Sequence, residues 1–144
     1  MSNDPLQPLA DLVVKDGVGL GGLTPALRGK ALALVWAGMP PTVMDERAVN
    51  VALKHLLAGA ASFIDTDHVE LRRWLVDAGW LWRDGFGREY RRVDPGGVPE
   101  ADRSLAQALA AIDVGAWAAS QRQAREAERL ARRAAWQARQ GGPA

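Results

Sequence analysis

Between residues 24 and 93 the apolar positions recur first with a period near 3.6 and then with a period of 2, and the change falls at a glycine. Thr24-Pro25 sets an N-capping residue before a proline at the first helical position. Leu27, Ala31, Leu34 and Val35 follow at helical spacing until Gly38 and two prolines stop the pattern. Pro41 to Met44 reads as a short extended segment, and Asp45 caps a second helix whose apolar face is Val49, Ala52, Leu53 and Leu56. A loop rich in glycine, alanine and serine runs from Leu57 to about Thr66. Asp67 and Glu70 then stand at the spacing of a capping box, ahead of the stripe Leu71, Trp74, Leu75 and Ala78. Gly79 closes this third helix. Trp80 to Arg83, the turn Asp84-Gly85-Phe86-Gly87 and the run Arg88 to Val93 then make an antiparallel hairpin.

The flanks read differently. Residues 1–23 are broken by proline and glycine around the apolar stretch Leu9 to Val14, and they read as a flexible N-terminal arm. Pro95-Gly96-Gly97 is a linker. From about Pro99 the pattern is helical to Gln140, with Leu105, Leu109 and Ile112 as its apolar face and a kink expected near Gly115. The expected organisation is an arm over 1–23, a domain over 24–94 and a basic C-terminal helix over 99–140. Helix, short strand, helix, helix and hairpin is the order of a winged helix-turn-helix domain. The fold class is therefore mainly α with a small β-hairpin, plus a long C-terminal α-helix.

Composition narrows the chemistry. The chain has no cysteine, which excludes disulfides, thiolate zinc sites and cysteine nucleophiles and suits a reducing, cytoplasmic setting. There is no basic stretch at the N-terminus of a signal-peptide kind. The longest apolar run, Ala31 to Met39, is too short to span a bilayer, so a soluble intracellular protein is expected. Net charge is +1 but uneven: residues 1–99 carry 11 basic and 12 acidic side chains, whereas residues 121–140 carry six arginines and two glutamates. The basic character lies in the tail.

Residues 46–93 also resemble a known family. Glu46, Val49 and Asn50 begin the match. Leu71, Arg72, Arg73, Leu75, Val76, Asp77 and Gly79 continue it through the third helix, and Leu81, Arg83, Gly87 and Tyr90 complete it in the hairpin. This pattern is similar to that of the bacterial domain of unknown function 2087 family. Two places depart from it: Val43 stands where an aromatic is usual, and the loop from Leu57 to Thr66 is longer and more apolar. The resemblance implies a winged-helix-like fold, found alone or beside the DNA-binding domains of transcriptional regulators. It thereby implies a part in transcription regulation.

Double-stranded DNA is the partner this architecture suggests, with a recognition helix at base edges and a wing at phosphates. The candidate nucleic-acid-binding residues are Arg72 and Arg73 on the third helix and Arg83, Arg88, Arg91 and Arg92 on the hairpin. Between residues 65 and 93 six arginines meet six acids, a weak electrostatic footprint. Arg72 and Arg73 can equally pair with Asp77, Glu46 or other nearby acids and organise the helix junction. Alternation along the first hairpin strand sets Trp80 and Trp82 on the face away from Leu81 and Arg83, with the helix after Pro99 as the nearest cover. Trp36 and Trp74 are expected in the core, and Trp80, Trp82, Trp117 and Trp136 form a candidate interaction surface. On the tail, Glu128 and Arg132 are spaced for helical pairing, and Ala124, Ala127, Ala131, Ala134 and Ala138 share one face.

Two further motifs fail on context. Gly17, Gly19 and Gly22 match a dinucleotide-binding fingerprint, but the next helix starts too late and no further strand-helix-strand units follow. Asp65, Asp67 and His68 include a residue already used as a cap, and His55 has no paired ligand at helical spacing. Asn50 is expected to bond to a helix end or loop backbone. The reading that results is a non-enzymatic DNA-binding protein without metal or cofactor, a transcriptional regulator or an accessory to one. The alternative is a protein-interaction module that forms a homodimer through its C-terminal helix.

Overall fold

A computed structural model describes residues 4–141. Its elements are α1 (Gln7–Val13), α2 (Pro25–Gly38), α3 (Glu46–Ala58), α4 (His68–Asp77), β1 (Leu81–Arg83), β2 (Tyr90–Arg92), α5 (Arg103–Ala110) and α6 (Val114–Gln140). The chain is mainly helical, with an antiparallel hairpin after α4 and a long C-terminal helix, a winged-helix-like arrangement.

Local chemistry starts each predicted helix. The side chains of Thr24, Asp45 and Asp67 accept from the backbone N–H groups of Leu27, Ala48 and Glu70 at 3.2, 2.7 and 2.7 Å, so each satisfies a donor that a helix leaves orphaned. Only half of the predicted capping box forms, because the Glu70 carboxylate accepts from Arg73 instead. At the other end of α4, Gly79 takes φ +87°, a conformation open to glycine. The N–H groups of Trp80 and Gly79 then bond back to the carbonyls of Leu75 and Val76, which turns the chain into the hairpin.

α2 lies at the centre. Its six consecutive residues Ala31 to Trp36 are all buried, so this helix is covered on every side. β1 and β2 pair Leu81 with Arg92, Trp82 with Arg91 and Arg83 with Tyr90. The extended segment before α3 joins them: Met44 and Tyr90 exchange both backbone hydrogen bonds at 2.8 Å. Trp36 and Trp80 meet beneath the hairpin with ring centroids 5.8 Å apart, and the Trp36 indole N–H donates to the Val93 carbonyl at 2.7 Å.

Three expectations require correction. Residues 4–23 are not a loose arm; the remainder of the predicted arm, residues 1–3, lies outside the described residues. Leu9, Leu12 and Val13 are buried, and Val18 donates to the Phe63 carbonyl and accepts from the Asp65 N–H in the loop before α4. Arg28 donates to the carbonyls of Leu20 and Leu23, and Arg122 to that of Val13. The proline that looked like a breaker sits in the first turn of α1, where no backbone donor is needed. The C-terminal helix is broken rather than kinked. α5 ends at Ala110, and Asp113 caps α6 by accepting from the Ala116 N–H at 3.0 Å, two residues before Gly115. Finally, Trp80 is 1% exposed and belongs to the core, not to a surface. It lies in the turn before the strand, so strict alternation does not apply to it, and Leu81 is buried as well.

Candidate nucleic-acid interface

The six candidate arginines occupy three different environments. Arg72 and Arg73 line one cleft of about 130 Å³ between α4 and the hairpin, together with Arg83 and Asp77. Arg72 is committed within the fold: it donates to the Asn50 amide oxygen at 2.7 Å, pairs with Glu46 at 3.2 Å and lies over the Tyr90 ring at 5.7 Å. Asn50 therefore serves this side chain rather than a helix end. Arg73 is exposed and pairs with Glu70 one turn back at 3.4 Å. The outward face of α4 is thus Glu70, Arg73 and Asp77, with one cation partly neutralised.

On the hairpin, Arg92 points inward. It donates to the carbonyls of Ala37 and Met39 at 3.3 and 3.2 Å and lies 5.1 Å from the centre of the Trp36 ring, so it closes the C-terminal end of α2. Arg83, Arg88 and Arg91 are exposed and form no ion pair among the described residues. Arg91 stacks on Trp82 at 4.6 Å, and Arg88 lies 5.7 Å from the Phe86 ring. Phe86, at the tip of the turn, is 84% exposed. Sequence reasoning passed over it, although a large apolar residue between two turn glycines is itself a signal. The slight desolvation of the turn raises the Asp84 carboxyl's pKa, but the N–H groups of Arg88, Glu89, Phe86 and Gly87 outweigh it and hold that carboxyl below its ordinary value. Asp84 is thereby consumed by the turn.

These environments predict unequal mutational costs. Replacing Arg72 with alanine should lower stability by about 1.5 to 3 kcal/mol, because charge-assisted bonds to Asn50 and Glu46 are lost together. The Arg73 to alanine variant should change stability by no more than about 0.5 kcal/mol, as expected of an exposed pair. Urea unfolding of both variants checks this; equal costs would mean that the Arg72 contacts do not organise the α3–α4 junction.

The second basic surface is α6. Val114 and Ala118 are buried and Arg122 is partly covered, but every described residue from Gln123 onward is exposed, so the last turns project from the body as a free-standing helix. At about 100° per residue, Arg122, Arg125, Arg129, Arg132, Arg133 and Trp136 fall on one face, roughly opposite the alanine face. Among the described residues the tail's ion pair is Glu126 with Arg129 at 2.8 Å, rather than Glu128 with Arg132. The hydrogen bond from Arg129 holds the Glu126 carboxyl below its usual value. Of the candidate interaction tryptophans, Trp82 is 41% and Trp136 55% exposed, while Trp117 packs partly against the core. Trp74 is half-buried, with the Arg28 guanidinium 4.7 Å from its ring centre.

No group of three or more metal-ligating side chains occurs among the described residues, and none of their helices is long and apolar enough to cross a membrane. Of the fingerprint glycines, Gly22 ends a short 3-10 turn over Leu20–Gly22, Gly17 and Gly19 flank the bridging Val18, and α2 begins only at Pro25.

A winged-helix-like domain carrying an arginine-faced helix is the class that this geometry defines. Residues 26–92 match the family described as uncharacterized protein conserved in bacteria (DUF2087), and this part of the chain is a domain of that family. No curated protein and no solved structure matches the chain.

Proposed function

We propose that the chain is a non-catalytic DNA-binding protein of the cytoplasm, a transcriptional regulator or an accessory to one. The observation that carries this reading is the free-standing half of α6, whose arginine face is met, among the described residues, by the ion pair of Arg129 with Glu126 on the same helix and by no acid of the body. A helix of this kind is suited to phosphate attraction, which needs cations in reach of a backbone and no particular base. The exposed arginines of the hairpin, Arg83, Arg88 and Arg91, add a second contact, as the wing of such a domain does. α4 contributes less than the arrangement of a recognition helix suggests, since its outward face carries two carboxylates and one paired arginine.

Fluorescence anisotropy with a short labelled duplex, between 50 and 200 mM salt, tests the proposal. Affinity should fall linearly on logarithmic axes. Replacing Arg83, Arg88 and Arg91 together with alanine should weaken all sequences alike and flatten the slope by up to about 2.7. Absence of binding to any nucleic acid at the lower salt would remove the proposal.

A second reading, a homodimeric interaction module, is favoured by the alanine face of α6 with Leu130, 53% exposed, at its margin. Light scattering across a concentration series separates the two, because the alanine seam buries little area and predicts only a weak, concentration-dependent dimer.

A further inference from the structure

We propose that the hairpin takes an unpaired nucleic-acid strand, with Trp82 as the platform on which a base stacks; this deepens the proposed DNA-binding reading and rests on it. β1 and β2 turn Leu81, Tyr90 and Arg92 inward and leave Trp82 and Arg91 together on the solvent face, directly opposite each other across the ladder. The Arg91 guanidinium lies over the ring, 4.6 Å from the indole centre, which sets a cation on one face of it. Next to this pair a groove of about 450 Å³ is lined by Trp82, Arg91, Arg92, Val93, Asp94 and the glycines Gly96 and Gly97. At the tip, Phe86 stands 84% exposed beside Arg88. Asp84, in the turn, is held into its own loop by bonds from the Arg88 and Glu89 N–H groups at 2.8 and 3.3 Å.

This surface suits single strands for a physical reason. Paired bases in a duplex already stack on one another, so an indole and a phenyl ring gain little from its outside. Every unstacked base presents a π-face that an aromatic ring can cover while neighbouring arginines hold the phosphates. Duplex readout would instead require base-edge donors from a groove-filling helix, and the outward face of α4 offers Glu70, Asp77 and an arginine already paired at 3.4 Å. The aromatic rings are exposed where unpaired bases would use them. Donors are scarce where a major groove would need them.

The full chain should be titrated by anisotropy against a labelled single strand of mixed sequence and against the same strand in duplex, at 50 mM salt. The expected result is tighter binding of the single strand, a loss of about 5- to 100-fold for it in Trp82→Ala, and retention of most affinity in Trp82→Phe, which keeps a stacking face. Trp82 packs no core, so melting curves of both variants should overlay that of the parent. Phe86→Ala gives an independent reading on a fully solvent-facing ring. If the duplex is preferred, or if Trp82→Ala binds the single strand as the parent does, the stacking proposal fails while DNA binding through α6 stands. If neither form binds, both readings fail together.

Discussion

Replacing Trp36 with alanine should cost about 3 to 5 kcal/mol for the buried ring alone. The Val93 carbonyl, which now accepts from the indole at 2.7 Å, would be left unpaired at a further cost of about 1 to 3 kcal/mol. Trp36 is fully buried, its ring meets Trp80 at 5.8 Å, and Arg92 lies over it while closing the end of α2. One side chain thus ties the central helix, the hairpin and the segment beyond it. A domain of this size has about 5 to 15 kcal/mol of stability in total, so the alanine variant should be largely unfolded at ambient temperature or melt far below the parent. Trp36→Phe separates the contributions: it keeps most of the packing, removes the donor and should cost about 1 to 3 kcal/mol for the unpaired carbonyl. Guanidinium titration followed by circular dichroism measures both. An alanine variant that loses less than about 1 kcal/mol would mean that the hairpin does not depend on this contact.

What could be read from the chain beforehand follows from the range of the interactions concerned. Thr24, Asp45 and Asp67 were legible as caps because each bonds to a backbone group three residues away, and Gly79 as a stop because its conformation is a local requirement. The same locality made the hairpin and its position after the third helix readable. α1 was missed because its burial depends on α2 and on Arg122, which reaches Val13 across 109 residues. The break at Asp113 is just as local: its side chain caps α6 two residues before Gly115, the residue type that more often marks a helix interruption.

The candidate site was harder to read because residue type does not reveal what an arginine is already holding. Arg72, Arg92 and Arg91 are the same residue type in three different surroundings. One bonds to Asn50 and Glu46, one to the carbonyls of Ala37 and Met39 over a separation of more than 50 residues, and one lies on an exposed indole. Periodicity placed them on the right elements but could not distinguish a structural clamp from a free cation. Near the strand end it failed as well: Trp80 belongs to the turn and faces the core, while Trp82 within β1 faces solvent. The pair that shares a face by simple alternation is therefore divided between inside and outside.

Truncating the chain after Arg122 should leave the domain folded and remove a separate component of the salt dependence of its DNA binding, as large as the one the hairpin arginines can supply. The cut falls there because Ala118 is buried and Arg122 donates to the Val13 carbonyl at 3.0 Å, so an earlier end would loosen α1. Beyond it lie five arginines and two glutamates, all exposed, for a net charge of +3. Glutamate and arginine side chains are both ionised at neutral pH, so this net charge applies where binding is measured. If the three excess charges neutralise three phosphates, the tail contributes a slope of about −2.7, or about a fortyfold loss of affinity between 50 and 200 mM salt. The truncated protein should lose that component, keep the melting temperature of the full chain and retain only the shallower dependence owed to Arg83, Arg88 and Arg91. The alanine face makes the opposite prediction available in the same experiment. Were α6 chiefly a dimer seam, the cut would abolish self-association in light scattering and leave the salt slope per protomer unchanged, and the arginine face would then have to be read as a solvated surface.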